Sequence, residues 1–225
     1  MKVTDRDIRL VRDLALSQVL SRDQIIKLGY FASVSRCNRT MQRLRDAGLA
    51  SVIVTPLANQ RFYVAGSKAP AVVGERIAAL LTGRNRTPRF IQHAVAVTDV
   101  RLALMDRGLA DWRFEGQLWQ SFSFGIRTVE VRPDGLIHRN GLPVLIEVDL
   151  GHVSAPKYAL KLDAYRRYVQ GGTFQSSYHS ETMRVLTVTT GSLRLKHLTA
   201  LARNDPWFEF TTFEKLGVAT PGGWL

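Results

Sequence analysis

The dipeptide Asn140-Gly141 constrains the fold most, because it stands between two β-prone stretches, 128–138 and 142–150. Both residues tolerate the positive φ angles of a type I′ turn, so the pair predicts a β-hairpin with a two-residue loop. If Arg139 pairs with Leu142, Asp134 lies opposite Glu147 and Arg132 lies opposite Asp149. Strand alternation then puts these four side chains on one face of the hairpin. The other face is apolar and predicts a core, with Val131, Ile137, Val144, Ile146, Val148 and Leu150.

The predicted carboxylate cluster of Asp134, Glu147 and Asp149 needs a source of positive charge, because opposed carboxylates repel each other. A divalent cation such as Mg²⁺ or Mn²⁺ would remove the repulsion, since such ions take oxygen ligands. Alternatively, Arg132 neutralises part of the cluster and solvent covers the rest. Pro133 has no N–H for the strand ladder, and a bulge there would shift the register. Both interpretations stay open.

Residues 1–68 predict three short helices followed by a hairpin. Thr4 is a good N-cap for the first helix, Ser21-Arg22-Asp23-Gln24 matches a capping box for the second, and Gly48 suits the left-handed position after the third. The predicted helices span 5–17, 22–29 and 35–47, and the β-prone segments span 49–55 and 61–65. This order is typical of a winged helix-turn-helix.

The third predicted helix carries side chains that can read DNA. Arg, Asn and Gln make paired hydrogen bonds to base edges in the major groove. No acidic residue lies between Arg36 and Arg45. We therefore predict DNA contacts by Arg36, Asn38, Arg39, Thr40, Gln42 and Arg43, with Arg61 of the hairpin reaching phosphate or the minor groove. The alternative is an ordinary solvated face, since Arg is a good helix former.

Charge is distributed unevenly along the chain, which has a formal net charge of +12. Residues 1–90 hold 16 Lys and Arg against 6 Asp and Glu, whereas residues 91–225 hold 15 against 13. A basic segment beside a nearly neutral one indicates a polyanion-binding module joined to a domain with another task. We expect double-stranded DNA as the partner, with a homodimer as a further candidate.

Cysteine usage and hydropathy bear on the compartment. Cys37 is the single cysteine, which excludes an internal disulfide and suits a reducing cytoplasm. No apolar run approaches the roughly 18 residues needed to span a bilayer. We therefore expect a cytoplasmic protein with no membrane partner.

The order of predicted elements divides the chain into three parts. The helix-turn-helix domain takes residues 1–68, a connecting helix and basic linker take 69–89, and an α/β domain takes 90–225. In the last part, strands are first grouped and then interleaved with helices, which predicts a mixed sheet. The fold class is therefore α/β (α+β).

Part of the second domain resembles the PD-(D/E)XK nuclease motif: Pro133-Asp134 is followed, after twelve intervening residues, by Glu147-Val148-Asp149. The resemblance implies a restriction-endonuclease-like fold in which the acidic residues bind a divalent metal and a lysine assists catalysis. Here Asp149 stands where that lysine is usual. Some members supply the lysine from the next helix. The implied catalytic set is Asp134, Glu147, Asp149, Lys157 and Lys161, and the implied metal ligands are Asp134, Glu147 and Asp149.

A likeness over most of the chain is to the replication-relaxation family of plasmid and mobile-element proteins. A leading winged helix precedes the segment 93–101, and the further matches are Pro133-Asp134, Ile146-Glu147-Val148-Asp149 and Lys157-x3-Lys161-Leu162-x2-Tyr165. The resemblance implies DNA binding in plasmid replication, mobilisation or its regulation, with replication or mobilisation proteins as partners, and without assuring nuclease activity. Two alternatives stay open: an active Mg²⁺-dependent endonuclease or nickase, and a winged-helix transcriptional regulator whose second domain mediates dimerisation or partner binding.

Overall fold

The computed structural model describes residues 3–54, 61–81 and 87–220. The described residues divide into two compact units, unit 1 up to Leu102 and unit 2 from Ala103 to Thr220. Within the described residues, no helix is both long enough and apolar enough to cross a membrane.

Unit 1 has the predicted order of three helices and a hairpin. Its elements are α1 Asp5–Leu16, β1 Leu20–Ser21, α2 Arg22–Lys27, α3 Val34–Asp46, β2 Ala50–Ile53, β3 Phe62–Ala65, α4 Pro70–Val73, α5 Glu75–Ala78, a 3₁₀ turn Ala79–Leu81 and α6 Pro88–Met105. The capping box at Ser21 and Gln24 is present, and Ser33 caps α3. Gly48 has a φ of 72°, which confirms its left-handed position.

The small sheet of unit 1 is antiparallel, in the order β1-β3-β2, with Ala50 paired to Ala65 and Ile53 to Phe62. Apolar side chains from all three helices and from the sheet meet in one core, which includes Leu10, Leu14, Leu20, Ile25, Cys37, Met41, Leu44 and Tyr63. Cys37 is fully buried in this core and acts as a small apolar residue.

The boundary between the two units lies later in the chain than the sequence suggests. Ala69, Val73 and Ile77 join the core of unit 1, so the predicted connecting helix is part of that unit. Most of the predicted linker lies at 82–86, outside the described residues. The first part of α6 also belongs to unit 1: Gln24 Nε2 donates to the Val95 carbonyl at 2.9 Å and to Asp99 Oδ1 at 2.8 Å. Local sequence patterns could not predict these contacts, because the paired residues lie far apart in the chain.

Unit 2 contains the predicted mixed sheet. Its elements are β4 Arg113–Phe114, α7 Glu115–Leu118, β5 Gln120–Phe124, β6 Arg127–Val131, β7 Gly135–Arg139, β8 Leu142–Asp149, α8 Ala155–Gln170, α9 Thr173–Tyr178, β9 Arg184–Thr189, α10 Gly191–Ala202, β10 Phe208–Thr212 and a 3₁₀ turn Glu214–Leu216. Five strands follow the order β10-β9-β8-β7-β4. The pairs β8–β9 and β9–β10 are parallel, whereas β7–β8 and β4–β7 are antiparallel.

The single strand predicted over 128–138 is two strands. β6 pairs with β5 in a separate two-stranded sheet, and β7 pairs with β8 in the main sheet. Between them lie Arg132, Pro133 and Asp134, so the interruption falls at the proline, which has no N–H for the ladder.

Helix α8 covers one face of β8. Tyr158, Leu162 and Tyr165 of this helix are buried and pack with Leu145 of β8, and Val169 is partly buried against the same core. Val144, Ile146 and Val148, which point to the opposite face, are also buried. Strand β8 is therefore buried on both faces, and any charge on it must be compensated inside the protein.

Candidate functional site

The β7–β8 hairpin brings the acidic residues together. Asn140 and Gly141 have φ angles of 53° and 78°, as a type I′ turn requires. The predicted register holds from Arg139 paired with Leu142 to Gly135 paired with Ile146. Beyond the last strand pair, the Asp134 N–H donates to the Ile146 carbonyl at 2.9 Å, and the Val148 N–H donates to Asp134 Oδ2 at 2.7 Å.

Glu147 lies at the centre of this region and is only 2% exposed. The Lys161 ammonium donates to Glu147 Oε2, and the Tyr165 hydroxyl donates to Oε1. Burial raises the pKa of Glu147 to about 7, although Lys161 acts to lower it. Burial would lower the pKa of Lys161, but the carboxylates of Glu147 and Asp134 raise it above its usual value. Both Glu147 and Lys161 therefore hold their protons more tightly than they would in water.

Asp149 pairs with a different positively charged side chain, that of Arg194. Arg194 binds it through two parallel contacts, Nε to Oδ2 at 2.8 Å and Nη2 to Oδ1 at 2.9 Å, and Thr189 Oγ1 donates to Oδ2 at 2.7 Å. The Asp149 side chain is 3% exposed and that of Arg194 is 17% exposed. Such a planar two-point contact is among the stronger ion pairs in proteins.

The interpretation in which Arg132 neutralises the cluster is wrong. Arg132 Nε lies 2.6 Å from Glu115 Oε1, and its side chain is 65% exposed. It lies outside the β7–β8 ladder, so the register that would place it opposite Asp149 does not extend that far. Arg194, which sequence reasoning missed, takes this role. The parallel pairing of Asp149 with Thr189 brings the start of α10 next to the end of β8.

The acidic residues as arranged do not fit a divalent cation. Both carboxylate oxygens of Glu147 and of Asp149 accept hydrogen bonds from side chains, and one oxygen of Asp134 accepts a backbone N–H. Among residues 3–54, 61–81 and 87–220, no three His, Cys, Asp or Glu side chains converge on a point where they could hold a metal. Of the two predicted lysines, Lys161 reaches the cluster, while Lys157 is exposed one helical turn earlier.

Helix α3 has one face in the core and one in solvent. Cys37, Met41 and Leu44 are buried, and Thr40 is 9% exposed, so this predicted DNA-contacting residue lies mainly on the inner side. Of the predicted DNA-contacting residues on this helix, Arg36, Asn38, Arg39 and Gln42 are exposed. Gln42 Nε2 donates to Asp46 Oδ1 at 2.8 Å, and Arg61 is exposed just before β3.

Arg43 bridges α3 and α1. Its Nη2 lies 2.7 Å from both carboxylate oxygens of Asp7, a residue with no exposed surface. The Arg43 side chain is 38% exposed. The contact fixes α3 against α1, a role that the sequence pattern of α3 alone did not indicate.

These features define a two-unit α+β protein: a helical unit with a small antiparallel sheet, and a unit built on a mixed sheet with an acidic cluster. A family model described as replication-relaxation matches residues 11–182. Since the match covers most of the chain, the protein belongs to the replication-relaxation family.

Other comparisons add little to this assignment. No curated protein matches the chain. Among solved structures, the chain is similar to the crystal structure of protein VC1899 from Vibrio cholerae, with 14% sequence identity and a TM-score of 0.36. The match covers 93% of this chain and 47% of that one, so this chain spans about half the length of that protein.

Proposed function

We propose that the protein binds double-stranded DNA and acts in the replication or mobilisation of a plasmid or mobile element, or in the regulation of these processes. Membership of the replication-relaxation family supports the general role. The observation that carries the DNA-binding proposal is the exposed face of α3, with Arg36, Asn38, Arg39 and Gln42.

Unit 1 would act as a winged helix-turn-helix. In this motif the second helix lies in the major groove, with its N-terminal residues on the base edges. Helix α3 follows α2 after a short turn, and Arg36, Asn38 and Arg39 lie in its first two turns. Strands β2 and β3 would form the wing, whose tip at residues 55–60 lies outside the described residues.

The anchoring of α3 supports this role, because a reading helix must hold its side chains at fixed positions. Three apolar side chains hold its inner face in the core, and Arg43 ties it to the buried Asp7. The exposed face therefore rests on a rigid support, as a site that discriminates between bases requires.

The proposal is tested by measuring DNA affinity for two double variants of the full chain. Arg36→Ala/Arg39→Ala removes two charges from α3. The control Arg9→Ala/Arg12→Ala removes two exposed arginines from α1. Fluorescence anisotropy with a labelled mixed-sequence duplex at low salt reports both affinities.

We expect the α3 variant to bind at least tenfold more weakly, since one base contact contributes roughly 1–3 kcal/mol and 1.4 kcal/mol corresponds to tenfold. The control should change affinity by about threefold or less, through general charge alone. Equal losses in the two variants would show that α3 is not the reading element.

A further inference from the structure

We propose that Lys161 and Arg194 are built-in counter-ions that replace a divalent cation, so that unit 2 folds with the charge of its acidic cluster compensated without a metal. The inference is independent of DNA binding by unit 1. It rests on the contacts around Glu147, Asp134 and Asp149.

Three carboxylates lie in a space from which water is largely excluded. Asp134, Glu147 and Asp149 are 8%, 2% and 4% exposed. A buried carboxylate is strongly destabilising unless a cation or several hydrogen-bond donors compensate its charge. The protein must therefore supply positive charge here, from an ion or from its own side chains.

Lys161 supplies the first positive charge. It projects from α8, its ammonium contacts Glu147, and the carboxylate of Asp134 also acts on it electrostatically. The ammonium therefore contacts Glu147 directly and lies close enough to Asp134 for that carboxylate to raise the pKa of Lys161. Both oxygens of Glu147 already accept hydrogen bonds, from Lys161 and Tyr165, so a metal bound by Glu147 would have to compete with the ammonium for Oε2.

Arg194 supplies the second positive charge. Its guanidinium takes both oxygens of Asp149 and also donates to the Val153 carbonyl at 2.8 Å. Asp149 adds a third buried carboxylate to those of Asp134 and Glu147. The arginine from α10 offsets the additional negative charge.

The test uses Mn²⁺ as the probe, with free Mn²⁺ measured by electron paramagnetic resonance and thermal unfolding followed in parallel. Wild-type protein should show no saturable binding up to about 1 mM Mn²⁺. Lys161→Ala should gain one Mn²⁺ site, because the change frees Glu147 and Asp134 to share the ion. Lys157→Ala, which removes an exposed lysine one turn away, should behave as wild type.

The double variant Glu147→Gln/Lys161→Ala should lose the gained site, which assigns it to this cluster. Saturable binding of Mn²⁺ by the wild type, abolished in Glu147→Gln, would overturn the proposal. A folded Lys161→Ala that gains no Mn²⁺ site would overturn it as well. If Lys161→Ala does not fold, the wild-type titration decides alone: saturation contradicts the proposal and its absence supports it.

Discussion

Asp7 is a single buried carboxylate that holds two parts of unit 1 in place. It completes the capping box of α1, accepting the Thr4 N–H at 3.0 Å, and its two oxygens accept Arg43 Nη2 at 2.7 Å. Burial raises the pKa of Asp7, but the hydrogen bonds with Thr4 and Arg43 outweigh it and lower that pKa below 3.8. The ionised form is therefore the one that stabilises the fold.

This shift predicts how stability responds to acid. Because the pKa in the folded state is lowered, Asp7 contributes stability above pH 3.8, and this contribution is lost as the pH falls through the lower folded-state pKa. We expect Asp7→Asn to lower the free energy of unfolding by about 1–3 kcal/mol at pH 7, because Arg43 loses its partner. The difference from wild type should shrink below pH 3.8.

Urea denaturation at several pH values measures this effect. Asp5→Asn is the matched control, since Asp5 is an exposed acid in the same helical turn. Asp5→Asn should lower the free energy of unfolding by about 0.3–1 kcal/mol, because a negative charge in the first turn interacts favourably with the helix dipole. A destabilisation by Asp7→Asn that does not change with pH would contradict the ionic role.

At the scale of elements, the β7–β8 turn holds the acidic cluster in register. Both turn residues have positive φ angles, and a Cβ on Gly141 would meet no atom within 4 Å. The cost of a side chain there is therefore conformational only. It can be separated from any effect of packing.

We predict that Gly141→Ala lowers the free energy of unfolding by about 1–2 kcal/mol, the cost of a left-handed conformation for a residue with a Cβ. Asn140→Gly, in the same turn, should change it by less than about 1 kcal/mol, since glycine adopts that conformation freely. Urea denaturation checks both variants. If Gly141→Ala and Asn140→Gly lowered the free energy of unfolding equally, the left-handed conformation at Gly141 would not be the cause of the loss.

At the scale of the whole molecule, positive charge is concentrated in residues 1–90, while the rest of the chain is nearly neutral. For a protein that neutralises phosphates, the logarithm of affinity falls linearly with the logarithm of salt concentration, by about 0.9 for each phosphate contacted. The slope of the logarithm of affinity against the logarithm of salt concentration therefore reports how many phosphates the basic region contacts.

We predict that Arg61→Ala reduces this slope by about 1, as expected for a residue that contacts phosphate. Lys215→Ala removes one exposed charge from unit 2 and should leave the slope unchanged. Anisotropy titrations from 50 to about 200 mM salt measure both. A wild-type affinity independent of salt would contradict a phosphate-binding surface altogether.

The sequence by itself determined local features of this protein: the N-cap at Thr4, the capping box at Ser21, the type I′ turn and the register from Arg139 to Gly135. These depend on backbone preferences and side-chain periodicity within a few residues, so they can be read from neighbours in the chain. The interruption at Pro133 is also local: its missing N–H predicts a disturbed register, and the break leaves Arg132 outside the ladder.

Only the tertiary structure decided which cation meets which acid. Arg43 pairs with Asp7, 36 residues away, and Arg194 with Asp149, 45 residues away. Arg132, close to the cluster in sequence, pairs with Glu115 instead. The physical reason is that charge pairing depends on distance in space, which here is set by helix packing in unit 1 and by the parallel pairing of β8 with β9 in unit 2.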